Sequence, residues 1–131
     1  MTKPSLYYFK IVAEDSEPLA RFYCDVFGMK EIRRYDALAT ENPHLEIFLS
    51  AGSNEGGGQL ALMHYVNSPA PTPGEAAIAF MVEDVDAVVA AALAAGGAST
   101  RAAETLEEHK LRYAMIADPE GHRIEVMQFV A

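Results

Sequence analysis

One order of elements, strand, helix, then three strands, is written twice along this chain, and that duplication constrains the fold more than any other feature. Leu6 to Val12 alternates and is rich in aromatic and β-branched residues, the pattern of a strand. Tyr7, Phe9 and Ile11 share one face of it; Tyr8, Lys10 and Val12 share the other. A helix should follow, with Ser16 as N-cap, Pro18 in the first turn and Gly28 at the end. Between them Leu19, Phe22, Tyr23, Val26 and Phe27 recur at helical spacing as one apolar stripe. Three strand-like runs come next, Met29 to Tyr35, His44 to Ser50 and Gln59 to Tyr65. The last two are joined by a flexible hairpin loop at Asn54 to Gly58. The order then repeats. Ala76 to Val82 reads as a strand, and Asp84 caps a helix with the stripe Val85, Val88, Val89, Ala92 and Leu93. Gly96-Gly97 ends that helix, and strands follow near Ala98 to Ala103, Lys110 to Ala117 and Arg123 to Val130. Val12 and Val82 hold equivalent places before their helices, as Gly28 and Gly96 do after them. The period, roughly 70 residues, is that of one supersecondary module rather than of a solenoid repeat.

The segment from Val66 to Gly74 carries three prolines within five residues, which can continue neither a helix nor a central strand. It reads as the linker between the halves. The expected fold is therefore α+β, a single domain over 1–131. Module one spans about 5–65, the linker 66–75 and module two about 76–130.

Composition excludes more than it selects. A chain of 131 residues, 50% hydrophobic and 22% charged, has an ordinary globular make-up with enough length for a core. No run approaches the roughly 18 apolar residues of a membrane span, and the residues after Met1 lack the apolar stretch of a signal peptide. A cytoplasmic location is expected. The net charge of −9 argues against a nucleic-acid partner and against anionic membrane surfaces. Cys24 is the single cysteine, so no intrachain disulfide is possible. Its place inside a helix beside Asp25 suggests a semi-buried thiol rather than a nucleophile.

The chemistry-bearing stretch is Asp118 to Met127. Asp118 opens a turn, Pro119 presets its first central dihedral, and Gly121 can take the positive φ that closes it. On the strand that follows, Glu125 shares a face with Met127 and Phe129. An acid on an apolar strand face is paired, a metal ligand or a proton-transfer group.

That turn and strand resemble the last hairpin of the vicinal oxygen chelate superfamily, which includes glyoxalase I, extradiol dioxygenases and bleomycin-resistance proteins. Arg21-Phe22-Tyr23 with Phe27-Gly28-Met29, Leu60-Ala61-Leu62, and Val82-Glu83-Asp84-Val85 extend the resemblance over nearly the whole chain. It implies two paired β-α-β-β-β modules whose curved mixed sheets enclose a cavity, commonly in a homodimer. It also implies a metal ligand on the first and last strand of each module. Counted along this sequence, those positions fall on Tyr7, Ala61, Ala77 and Glu125. Two alanines donate nothing, and a phenol is a poor ligand outside a few iron sites. His64 lies on the opposite strand face from Ala61 and cannot substitute for it. The expectation is therefore no cofactor, with a divalent metal at Glu125 as the alternative.

Glu125 is the candidate catalytic residue, able to exchange a proton next to a carbonyl. The competing reading is a structural acid bonded to Tyr7 or Tyr113. Tyr7, Phe9, Ala61, Met63, Ala77, Tyr113, Met115 and Met127 are the expected ligand-binding residues. Arg123 shares the face of Glu125, and a pair between them would hold the acid charged and count against proton transfer. Arg101 and Arg112 are further candidates for an anionic group. His44, His64 and His122 read as surface or edge residues. His109, after an acidic loop at Glu104 to Glu108, is the one histidine expected to border a pocket. Loops at 36–42, 53–58 and 104–109 should shape that pocket. Three functions follow. The first is metal-free binding of a small, largely apolar or aromatic molecule. The second is a metal-free isomerase or cyclase using Glu125. The third is a metal-dependent lactoylglutathione lyase- or dioxygenase-like enzyme with rebuilt ligands.

Overall fold

The computed structural model describes residues 3–51 and 58–131. The hairpin-loop reading of Asn54 to Gly57 lies outside the described residues. The chain divides into two compact units, 1–71 and 72–131, and each is a β-α-β-β-β module. The first comprises β1 (Tyr8–Val12), α1 (Ser16–Phe27), β2 (Lys30–Asp36), β3 (His44–Ser50) and β4 (Gln59–Tyr65). The second comprises β5 (Ala77–Met81), α2 (Val85–Ala94), β6 (Ala98–Leu106), β7 (Leu111–Ala117) and β8 (Arg123–Phe129). Each sheet is mixed and four-stranded, in the orders β1-β4-β3-β2 and β5-β8-β7-β6. The first and last strands of each module run parallel, and the other neighbours are antiparallel. The fold is α+β, as the duplicated pattern requires. No helix among the described residues is long and apolar enough to cross a membrane.

In the first module the α1 residues Leu19, Phe22, Tyr23 and Val26 are buried, and the helix packs on β3 and β4. Ile47, Leu49, Leu60 and Leu62 are buried too and lie on the helix side of the sheet. Arg34 marks that side, because it forks onto Glu17 of α1 at 2.7 and 3.1 Å. In the second module Arg112 of β7 forks onto Asp86 of α2 at 3.0 and 2.9 Å. Gln128 Oε1 accepts the Val85 N–H at 2.9 Å. Alternation then sends Ala114, Ile116, Ile124 and Val126 toward α2, and all four are fully buried. The α2 stripe is thinner than its spacing suggests: Val85 and Ala92 are buried, but Leu93 is half exposed.

Three local expectations are corrected. Asp15, not Ser16, caps α1, accepting the Glu17 N–H at 3.3 Å. The Ser16 hydroxyl is spent on tertiary structure instead. It is buried and donates to the Leu62 carbonyl at 3.1 Å, tying helix to sheet. The acidic stretch from Glu104 to Leu106 is strand, not loop, and pairs with Tyr113, Arg112 and Leu111. Register shifts on either side of Arg101 carry β6 past the expected end, leaving a short 3-10 turn at Glu107–His109.

The third correction is a one-residue slip between the halves. The Ala13 N–H donates to the Met63 carbonyl at 2.7 Å, and the Val82 N–H to the Met127 carbonyl at 2.7 Å. Ala13, not Val12, is thus the counterpart of Val82, and the caps Asp15 and Asp84 keep the same offset. A slip of one on a strand exchanges its faces. Tyr8 pairs with Gln59 as Ala77 pairs with Arg123, so Tyr8, not Tyr7, is the counterpart of Ala77.

Candidate functional site

The closing turn forms as the residues dictate and aims β8. Asp118 is buried and organises it. Its Oδ1 accepts the N–H of Glu120 at 2.9 Å and of His122 at 3.0 Å, and its carbonyl accepts the Gly121 N–H at 2.9 Å. Gly121 sits at φ 96°, in the left-handed region that favours glycine. The His122 ring nitrogen Nδ1 lies 2.9 Å from Asp118 Oδ2, so this histidine is part of the turn.

Beyond the turn, Arg123, Glu125, Met127 and Phe129 point away from α2, because Ile124, Val126 and Gln128 point toward it. Glu125 stands between Ala79 of β5 and Met115 of β7 in the register. Ala77, Met81 and Tyr113 share this outward face. Five of the residues expected around a ligand, Ala77, Tyr113, Met115, Met127 and Glu125, are therefore on one side of one sheet. Met81 and Phe129 on the same side are 51% and 73% exposed.

The Glu125 carboxylate has no hydrogen-bond or ion-pair partner among the described residues. Each partner the sequence offers is occupied elsewhere. Arg123 Nη1 donates to the Gly74 carbonyl at 3.0 Å. The Tyr113 hydroxyl donates to Glu104 Oε1 at 3.2 Å, and Arg101 forks onto that same carboxylate at 3.0 and 3.3 Å. Those contacts hold the Glu104 carboxyl below its usual range, with the Arg101 hydrogen bonds first and Tyr113 second. Arg112 faces α2 and is bonded to Asp86, so it does not share the outward face either.

The first module fills its corresponding face differently. By alternation from Arg34, the outward side carries Tyr8, Lys10, Arg33, Glu46, Phe48, Ala61 and Met63. Phe9 belongs to the helix side with Ile11 and is thereby separated from Ala61 and Met63, contrary to expectation. Tyr7 lies ahead of β1, yet its hydroxyl reaches the outward side and accepts from Arg33 Nη2 at 3.2 Å. Ala61 and Met63 are buried. Lys10 Nζ lies 2.7 Å from Glu46 Oε2, and Glu46 is 7% exposed. The Glu46 carboxylate beside it raises the Lys10 ammonium above its ordinary value. Sequence reasoning missed this pair and Arg33. Strand alternation could have placed all three on one face, but not the contacts between them.

His44, His64 and His122, expected at the surface or an edge, are half-buried and bonded locally. His44 Nδ1 lies 2.8 Å from the Asn42 carbonyl. His64 Nδ1 lies 3.3 Å from the Ala13 carbonyl, facing away from Ala61. His109 is exposed in the 3-10 turn. Burial pushes the Cys24 thiol up, and Asp25 adds to the effect, so the thiolate is disfavoured. Among the described residues, no three His, Cys, Asp or Glu side chains come together as a metal-holding group.

Solved structures share this architecture. A glyoxalase I from Leishmania major, described as trypanothione-dependent, superimposes with a TM-score of 0.78 at 25% identity, over 96% of this chain and 87% of that one. A glyoxalase/bleomycin resistance protein/dioxygenase family enzyme from Burkholderia phytofirmans PsJN gives 0.70 at 20% identity, over 94% and 97%. A V278E glyoxalase I mutant from Zea mays gives 0.74 at 22% identity, over 94% of this chain but 45% of that one. No curated protein matches the chain in sequence. The model of the Glyoxalase/Bleomycin resistance protein/Dioxygenase superfamily matches residues 5–126, and the chain belongs to that family.

Proposed function

We propose that this protein binds a small, largely apolar or aromatic molecule without a metal, against the outward face of the second module. The isolation of Glu125 carries the reading. An acid kept for structure is ordinarily paired. Here every nearby candidate partner is bonded elsewhere, so both carboxylate oxygens remain available to a ligand. Ala77, Ala79, Met115 and Met127 around it supply an apolar, polarizable surface that adapts to ligand shape.

The residues present do not fit the divalent centre that metal-dependent relatives use. With the register corrected, the four strand positions are Tyr8 and Ala61 in the first module and Ala77 and Glu125 in the second. Two methyl groups, a phenol and one carboxylate do not make the three or four O/N donors such a metal needs.

A second reading uses the same observation. An unpaired Glu125 is free to take a proton from carbon next to a carbonyl and return it elsewhere, the chemistry of a metal-free isomerase or cyclase. A third, a lactoylglutathione lyase- or dioxygenase-like activity with rebuilt ligands, draws on the likeness to the Leishmania major enzyme, and it requires turnover that chelators abolish. Glu125→Gln separates the first two. Aromatic small molecules are screened by ligand-observed NMR against both forms, and each binder is followed for conversion. Binding without conversion in either form supports sequestration, whereas conversion lost in the variant supports the enzyme. The assembly expected is a homodimer, which sedimentation equilibrium tests against the 14.2 kDa chain mass.

A further inference from the structure

We infer that the first module carries an anchoring site for a small aromatic carboxylate at Arg33, on the face of its sheet turned away from α1. Arg33 differs from the other bonded arginines. Arg34 is held by Glu17 and Glu31, Arg101 by Glu104, Arg112 by Asp86, and Arg123 by a backbone carbonyl. Arg33 is half-buried, and its one polar contact among the described residues is the Tyr7 hydroxyl at 3.2 Å. The chain has 19 acidic residues against 10 basic ones. Carboxylates are plentiful, yet none among the described residues pairs with this half-buried guanidinium.

The guanidinium is also fixed in place. Its carbon lies 4.0 Å from the centroid of the Phe48 ring and 5.6 Å from that of Tyr7. Phe48 is in turn held edge-on by Tyr8 at 5.0 Å and Tyr35 at 5.7 Å. A planar fork of N–H donors stacked on a locked ring is organised before any ligand arrives, so less side-chain entropy is lost on binding. With one N–H bonded to Tyr7, the remaining donors suit a carboxylate's paired oxygens.

A second observation points to a ligand on the same face. Ser50 Oγ and Gln59 Oε1 are buried with no hydrogen-bond partner among the described residues, as is Glu46 Oε2, which has its ion pair with Lys10 instead. Ser50 pairs with Gln59, which pairs with Tyr8. Alternation places this row beside the row of Phe48 and Arg33. Buried polar atoms without partners are costly unless something arrives to satisfy them. Charge selects the class of anion. Lys10, the other cation on this face, is committed to Glu46 at 2.7 Å. One free guanidinium neutralises a monoanion and leaves half of a phosphate dianion uncompensated. The surrounding tyrosine and phenylalanine rings favour an aromatic body.

The inference uses no residue of the second module and does not depend on Glu125. The test titrates the protein with benzoate and with its neutral isostere benzamide, followed by NMR chemical shifts. Benzoate should bind about ten-fold or more tightly than benzamide, as expected for a charge-assisted fork. The shifts should centre on Arg33 Nε–H and the Phe48 region. Arg33→Met should abolish the preference, and Arg112→Gln, which removes an arginine already held by Asp86, should leave it intact. High salt should weaken benzoate alone in the wild-type protein, a comparison that needs no variant to fold. Equal affinities, no binding, a preference that survives Arg33→Met, or shifts centred on Met127 would each overturn the assignment.

Discussion

The two modules share their element order, the register between first and last strands and an aspartate cap on each helix, yet they fill the outward sheet face in opposite ways. In the first module, charge stands on β1 and is answered from β3, as Lys10 with Glu46. The β1 position of Lys10 is held in β5 by Ala79, since Lys10 pairs with Ala61 and Ala79 with Glu125. In the second module the charge therefore moves to the last strand, where Glu125 has no partner among the described residues. The helices differ in the same sense. Phe22 and Tyr23 anchor α1, whereas α2 is mostly alanine and valine. The first half pairs an acid with a base across its sheet; the second leaves Glu125 on an apolar surface with no partner among the described residues.

Core substitutions should separate the halves most strongly. Phe22→Ala is expected to cost about 3–5 kcal/mol in urea unfolding. Val85→Ala, the deepest site on α2, should cost about 2 kcal/mol from lost methyl burial. Equal costs would break the claim that aromatic residues anchor α1 more firmly than small residues anchor α2.

The acids come next. Glu46→Gln should destabilise by about 2 kcal/mol. Losing one partner of an enclosed pair typically costs about 3–5 kcal/mol, discounted here because the Lys10 side chain stays partly exposed. Glu125→Gln should change stability by less than about 0.5 kcal/mol, having no partner to lose. A large loss at Glu125 would return it to a structural role.

The pH dependence should divide the same way, with smaller effects. Lys10 is held above 10.5 by Glu46, so its contribution is complete below that value and lost as pH rises through the raised one. Lys10→Met should flatten the alkaline limb of the urea midpoint, a limb the Ala79 position cannot supply. Glu17 and Glu31 are held below 4.5 chiefly by Arg34, so their contribution is present above 4.5 and lost as pH falls through the lowered values. Arg34→Gln should flatten the acid limb slightly, because the network is solvent-exposed.

Element order was legible because apolar periodicity and Gly, Pro and Asp punctuation act locally. The closing turn was read in full for the same reason: Asp118, Pro119 and Gly121 each set their own backbone. Register was not legible. Val12 and Val82 look equivalent, but the hydrogen bonds to Met63 and Met127 align Ala13 with Val82, and that single step moved the first candidate position from Tyr7 to Tyr8 and turned Phe9 toward the helix. Alternation gives two faces without saying which meets the helix; that choice is made by contacts such as Arg34 with Glu17. Long side chains were the other blind spot. Arg101, Arg112 and Arg123 looked available for an anion, and each is bonded, while Arg33 drew no notice. Ser16 looked like a cap because its type suits one; its hydroxyl gains more from the Leu62 carbonyl.

Metal content tests the central claim most directly. The purified protein is incubated in turn with zinc, nickel, manganese and ferrous iron, passed through a desalting column and analysed by elemental mass spectrometry. The account predicts that each metal is removed, because Ala61 and Ala77 supply no donors and Glu125 belongs to no metal-holding group among the described residues. Near-stoichiometric retention of any of them, lost on Glu125→Gln, would contradict it and assign Glu125 to a metal.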